Sequence, residues 1–155
     1  MKIEIKEVVK PIHLRDYAEV YGDETIWVWV NLPRALRLGH AEIVAEFDGV
    51  VNERKDALEA LKALVESGEA PSDEDLSLDE QLVAEHAEKL EELGRRLYGW
   101  YATVWSKHDE STSWTADEVG DLVVACLDAD PRLWSWIQDE HWRLINEHRD
   151  GVKKK

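Results

Sequence analysis

Residues 77–107 read SLDEQLVAEHAEKLEELGRRLYGWYATVWSK, and this stretch decides the fold. Leu78, Leu82, His86, Leu90, Leu93, Leu97, Trp100 and Val104 recur every three or four residues, the period that places apolar side chains on one face of an α-helix. Ser77-Leu78-Asp79-Glu80 has the spacing of a capping box, so the helix is expected to run from 78 to 107. A helix of that length with one apolar face is the backbone of a bundle. Gly94 and Gly99 interrupt it and allow a kink or the close approach of a neighbour.

Upstream, SGEAPSDEDLS (67–77) opens on Ser-Gly, contains Pro71 and reads as an acidic loop. Before it, residues 32–67 are expected to form a pair of helices. Asn31 is the expected N-cap of the first, with Pro33 in its first turn. Leu36, His40, Ile43, Val44 and Phe47 share a face, and Asp48-Gly49 reads as the stop. The second helix, 53–66, groups Leu58, Leu61, Leu64 and Val65 against a charged side. Residues 1–31 form a β element. Ile3 and Ile5 alternate with charged residues along 2–10 until Pro11 ends the run, and TIWVWVN (25–31) reads as a second strand. Trp27 and Trp29 fall on one face of it and Val28 and Val30 on the other, so both faces are apolar. That pattern suits a strand covered on two sides or an edge used for assembly.

Downstream, 106–113 is a polar break. Thr115-Ala-Asp-Glu118 is a second capping box, opening a short helix with Val119, Leu122, Val123 and Cys126 inward. Asp130-Pro131 starts the last helix, which Gly151 ends, and 151–155 is a basic tail. The expected fold is therefore mainly α: a single-domain bundle of four to five helices (32–67 and 78–150) with a small two-stranded N-terminal β element.

The last helix also carries the first functional signal. Leu133, Trp134, Ile137, His141, Leu144, Ile145 and His148 fall within an arc of roughly 120°. Trp136 and Trp142 fall on opposite flanks of that arc, and Trp105 lies off the centre of the long helix's stripe. The chain has eight tryptophans and one phenylalanine. Off-face aromatics mark either a helix buried on several sides or an intermolecular surface. Trp114 flanks a helix start, where a hydrophobic staple sits. The candidate partner-binding residues are Trp105, Trp136, Trp142, Trp27 and Trp29.

Thirty-four acidic residues face nineteen basic ones, a formal net charge of −15 over 155 residues. That balance argues against nucleic-acid phosphates and anionic membranes as partners, since both require clustered cations. No apolar run approaches the length of a membrane span, and the N-terminus lacks the apolar core of a signal peptide. Cys126 is the single cysteine, so no internal disulfide forms and a cytoplasmic setting is expected. Six histidines raise a metal site, but none follows an acid by three positions and no two are four apart, so neither metal nor cofactor is expected. No glycine-rich phosphate loop and no nucleophile–base pattern is present, so no enzymatic activity is expected.

The arrangement resembles the tail assembly chaperones of long-tailed bacteriophages. The residues that carry the resemblance are TIWVWVNLPRAL (25–36), the acidic helical middle and the end DPRLWSWIQDEHWRLINEHRDGVKKK (130–155). It spans most of the chain as an arrangement and contains no short diagnostic motif. It implies a small, acidic, largely helical and often oligomeric protein. Such a protein acts in the host bacterial cytoplasm and coats the helical tape measure protein until the tail tube assembles. It also implies a longer frameshifted form, for which Lys153–Lys155 fits an adenine-rich slippery codon run; lysines beyond a helix C-terminus are also favourable in their own right. A different class fits the charge alone: an acidic inhibitor that mimics nucleic acid, with the carboxylates of 69–92 in a partner's basic groove.

Overall fold

A computed structural model describes residues 3–106 and 113–153. Most of the polar break and the end of the basic tail lie outside the described residues. The fold is mainly α, with four helices and a small antiparallel sheet. It divides into two compact units, Met1–Leu38 with Tyr98–Lys155, and Gly39–Leu97.

The first unit holds the sheet. Strand β1 (Val9–His13) pairs with β2 (Thr25–Trp29), Ile12 opposite Ile26. A third strand, β3 (Trp105–Ser106), pairs with the other side of β2, Val28 opposite Trp105. The β element therefore has three strands, not two, and β2 is central rather than an edge open for assembly. Pro11 does not end β1 but lies inside it. This is tolerated because β1 is an edge strand, where a missing N–H need not reach a neighbour. Asn31 is not a helix cap. Its side-chain oxygen accepts from Val8 N–H and from Trp29 Nε1, both at 2.7 Å, and its amide donates to the Lys6 carbonyl at 2.8 Å, tying the N-terminal segment to the end of β2.

Helix α3 (Ala116–Ala129) opens with the capping box expected from sequence: Thr115 Oγ1 accepts from Glu118 N–H while the Glu118 carboxylate accepts from Thr115 N–H. Helix α4 (Pro131–Lys153) follows at once. Its expected arc is the buried face: Leu133, Trp134, Ile137, His141, Leu144 and Ile145. These meet Ile26, Val28 and Val30 from the sheet and Val119, Val123 and Cys126 from α3 in the core of the unit. Burial pushes the Cys126 thiol pKa up, which keeps it protonated and inert.

The other two helices are long. Helix α1 (Arg34–Glu66) is continuous, where two were expected. Asp48-Gly49 fails as a stop because both residues are exposed, while Phe47 and Val50 carry the inward periodicity across them. Helix α2 (Asp73–Val104) starts five residues before the expected position. Ser72 caps it. Its Oγ accepts from Asp75 N–H at 3.1 Å and its own N–H donates to the Asp75 carboxylate at 3.0 Å. Ser72 wins over Ser77 because it follows Pro71 and precedes three acids, which favour a helix N-terminus. At the other end α2 stops at Val104, so Trp105 belongs to β3 rather than to the long helix.

Candidate protein-docking face

Residues 39–97 form an antiparallel helical hairpin. Two ion pairs link its helices, Arg54 with Asp79 and Glu46 with Arg96, and the Glu53 carboxylate lies 3.3 Å from His86 Nε2. The turn between the helices closes on Gly68 at φ +83°, where Glu69 N–H reaches back to the Leu64 carbonyl and Gly68 N–H to that of Val65.

Burial resolves the faces. Within 41–66 the residues that are not exposed are Ile43, Phe47, Val50, Arg54, Ala57, Leu61 and Leu64, spaced alternately by four and three. Opposite them stand Asp75, Asp79, Leu82, His86, Lys89 and Leu93, with the same alternation. That alternation is the spacing of a coiled-coil seam. It is a poor seam, because half of its α2 side is charged and only Ile43, Val50, His86 and Leu93 in the whole unit are buried. The hairpin therefore buries little apolar area within 39–97.

The missing apolar surface lies one position along. Val44, Val51, Leu58 and Val65 follow the seam residues of α1 at intervals of seven and are 39%, 56%, 48% and 60% exposed. On α2 the same column is Leu76, Val83, Leu90 and Leu97, the first two 48% and 43% exposed and the others half-buried. Two antiparallel helices turn corresponding columns to the same side of their seam, so all eight side chains lie on one edge. Val51, Val83 and Leu90 accordingly line one groove of about 310 Å³ with Val50, His86 and Ala87. A second groove, of about 420 Å³, runs along α1 past Val51 and Leu58 between Lys55 and Lys62. The matching column of the other edge carries Glu46, Glu53, Glu85 and Glu92, with Ala60 and the exposed Leu78 toward the turn. A column repeating every seven residues drifts by ~20° per repeat on a straight helix and stays in line only beneath a second, left-handedly supercoiled helix. The edge is thus an exposed apolar column with the heptad period of the seam beside it.

The tryptophans singled out from sequence lie elsewhere, all in the first unit. Trp105 is 2% exposed, packed edge-on against Trp114 and Trp134 with ring centroids 5.6 and 6.0 Å away; it is core, not an anchor. Trp142 is half-buried and stacks on Trp100 at 6.2 Å. Trp136 is half-buried against Tyr17 at 5.6 Å. Tyr17 and Tyr21 in turn donate their hydroxyls to Asp130, at 2.8 and 3.1 Å. Trp27 and Trp29 are half-buried on the face of β2 opposite Ile26 and Val28, with Trp27 lining a cavity of about 570 Å³ beside Trp114 and Leu122. None of the five is among the exposed large hydrophobic residues, which concentrate on the 39–97 hairpin.

Among the described residues no group of three His, Cys, Asp or Glu side chains converges as a metal site would require, and no helix is long and apolar enough to cross a membrane. Comparison with protein-family models, curated proteins and solved structures gives no match to this chain.

Proposed function

We propose that the chain is a non-enzymatic assembly factor that shields an amphipathic helix of a client protein on the apolar edge of the 39–97 hairpin. The observation that carries this reading is the exposed column Val44, Val51, Leu58 and Val65 beside Leu76 and Val83. In its specific form the protein is a phage tail assembly chaperone and the client is the tape measure protein, whose long helices need cover before the tube closes. The sequence arrangement supports that form, and the acidic opposite edge would keep a coated client soluble. The docking face moves from the tryptophans to the hairpin, because Trp105, Trp136 and Trp142 are occupied by partners within their own unit.

The test is fluorescence anisotropy with labelled peptides tiled along a phage tape measure protein. Tiles with a heptad apolar pattern bind the wild type, and Val51→Glu/Leu58→Glu weakens them by about tenfold or more, the loss expected for two apolar anchors. If no tile binds, the client reading falls. Inhibition by nucleic-acid mimicry through the carboxylates of 69–92 is the less favoured reading, because it leaves the exposed column Val44, Val51, Leu58 and Val65 without a role.

A further inference from the structure

The geometry points to a binding site for a small amphiphilic anion, an apolar chain ending in one carboxylate, in a pocket between the start of α1 and the last turns of α4. The pocket measures about 420 Å³, and all its lining residues belong to the Met1–Leu38 with Tyr98–Lys155 unit. It is separate from the hairpin edge, so the site goes beyond the client reading and does not rest on it.

The lining divides into an apolar floor and a cationic rim. Val30, Leu32 and Ile145 are 1%, 7% and 4% exposed and form the floor. The exposed Arg37 and Arg149 and the half-buried His148 form the rim. No residue of the lining is acidic. In a chain whose acids outnumber lysine and arginine by 34 to 19, that sorting is the reverse of what composition supplies.

The neighbouring acids are turned elsewhere. Advancing about 100° per residue from Ile145 puts His148 and Arg149 about 60° and 40° to either side of it, but Glu147 and Asp150 about 160° and 140° away. The Glu147 carboxylate takes Arg143 at 2.6 Å. On α1 the first acid is Glu42, about 140° around the helix from Arg37. Glu4 and Glu7 of the N-terminal segment are exposed and line no part of the pocket. Among the described residues Arg15, Arg54, Arg96 and Arg143 each pair with a carboxylate, whereas Arg37 and Arg149 do not; Arg149 reaches the Asn146 side chain, at 2.9 Å.

The start of α1 adds to the imbalance. Its first turn holds Arg34 and Arg37 and no acid. Cations there oppose the helix dipole, whose positive end attracts anions. Arg149 is well placed near the end of α4, but Arg37 gains nothing from its own helix. An anion between the two arginines compensates both of them and the helix terminus together. The guanidinium fork matches a carboxylate with two parallel hydrogen bonds.

The floor selects the body of the ligand. A bare inorganic anion leaves Val30, Leu32 and Ile145 uncovered. Asn31, the one amide side chain in the lining, is already committed to Lys6, Val8 and Trp29, so the amides of a peptide find no neutral side-chain partner there. A hydrocarbon chain needs none. Small-molecule sites span about 300–1,000 Å³, and this pocket lies toward the lower end, which suits a medium-length chain such as that of octanoate.

The experiment is isothermal titration calorimetry of the full chain at low ionic strength, with far-UV circular dichroism on every variant. Octanoate binds with a Kd below about 1 mM, and acetate and octanol each bind at least about tenfold more weakly. Arg37→Glu/Arg149→Glu weakens octanoate by at least about tenfold; if that variant loses helicity, Arg37→Gln/Arg149→Gln takes its place. Val51→Glu/Leu58→Glu, on the hairpin edge, leaves octanoate binding unchanged. Absence of octanoate binding, equal affinity for octanol or acetate, or indifference to both arginine variants each overturns the inference. So does tighter binding of a short peptide ending in leucine, which would make a protein terminus the occupant. The two readings fail separately: the arginine variants still bind client tiles, and the hairpin variant still binds octanoate.

Discussion

Trp105 Nε1 lies 3.4 Å from His141 Nδ1, and both side chains are buried. Indole can only donate, so Nδ1 accepts, and the imidazole proton resides on Nε2, which reaches the Trp29 carbonyl at 3.1 Å. One neutral ring thereby joins β3 and β2 to α4. His141→Phe keeps the ring volume but strands the Trp105 N–H and the Trp29 carbonyl. It should lower stability by about 2–4 kcal/mol, one unmade hydrogen bond at each group. Urea denaturation of the two proteins measures this, and a loss under about 1 kcal/mol would show that neither contact matters.

Tyr101 is fully enclosed, and burial pushes its phenol up to about 12. Its hydroxyl accepts from Gln138 Nε2 at 3.1 Å. Since the folded pKa exceeds the unfolded one, the native state holds the proton longer. Stability from this group is complete below pH 10 and is lost as pH rises through about 12, a total of about 2–3 kcal/mol. Denaturant midpoints across that window should fall in the wild type more steeply than in Tyr101→Phe. Parallel curves would contradict the assignment.

Gly68 and Gly49 should respond oppositely to alanine. Gly68 has φ +83°, so Gly68→Ala strains the hairpin turn and costs about 1 kcal/mol. A Cβ at Gly49 meets nothing within 4 Å, so Gly49→Ala stabilises α1 by roughly 0.5–1 kcal/mol. Melting temperatures followed by far-UV circular dichroism should move down for the first variant and up for the second.

Trp142→Ala removes a stacked ring from Trp100 and should cost about 2–4 kcal/mol of stability in the first unit. Client binding should be unchanged when assayed where the variant is folded. A variant that keeps its stability but loses binding would return the docking role to the tryptophans.

How much of this was legible depended on whether a neighbour within a few turns sets the outcome. The buried arc of α4 from Leu133 to Ile145 follows from helical period alone, and the Thr115–Glu118 box from spacing alone. The central position of β2 was not legible, because its second neighbour is two residues long and arrives from the far end of α2. Asn31 looks like a cap by type, but its side chain is claimed by Lys6, Val8 and Trp29, which no local pattern announces. The exposed apolar edge left a readable trace in the sevenfold spacing of Val44, Val51, Leu58 and Val65. Sequence alone merged Val44, Leu58 and Val65 with Ile43, Phe47, Leu61 and Leu64 and left Val51 unplaced, since a helical face spans more than one column. Only the position of α2 separates covered residues from uncovered ones.

The distribution of aromatic residues has an optical consequence. Every tryptophan and tyrosine belongs to the Met1–Leu38 with Tyr98–Lys155 unit, and residues 39–97 contain only Phe47. Intrinsic fluorescence and near-ultraviolet absorbance therefore report on one unit and are blind to the other, while far-ultraviolet ellipticity is dominated by the two long helices. A single indole introduced into the dark hairpin, at exposed Val83 for instance, would be its only tryptophan. Melting of the hairpin apart from the sheet-bearing unit would then show as two curves that fail to superimpose, in an otherwise unlabelled chain.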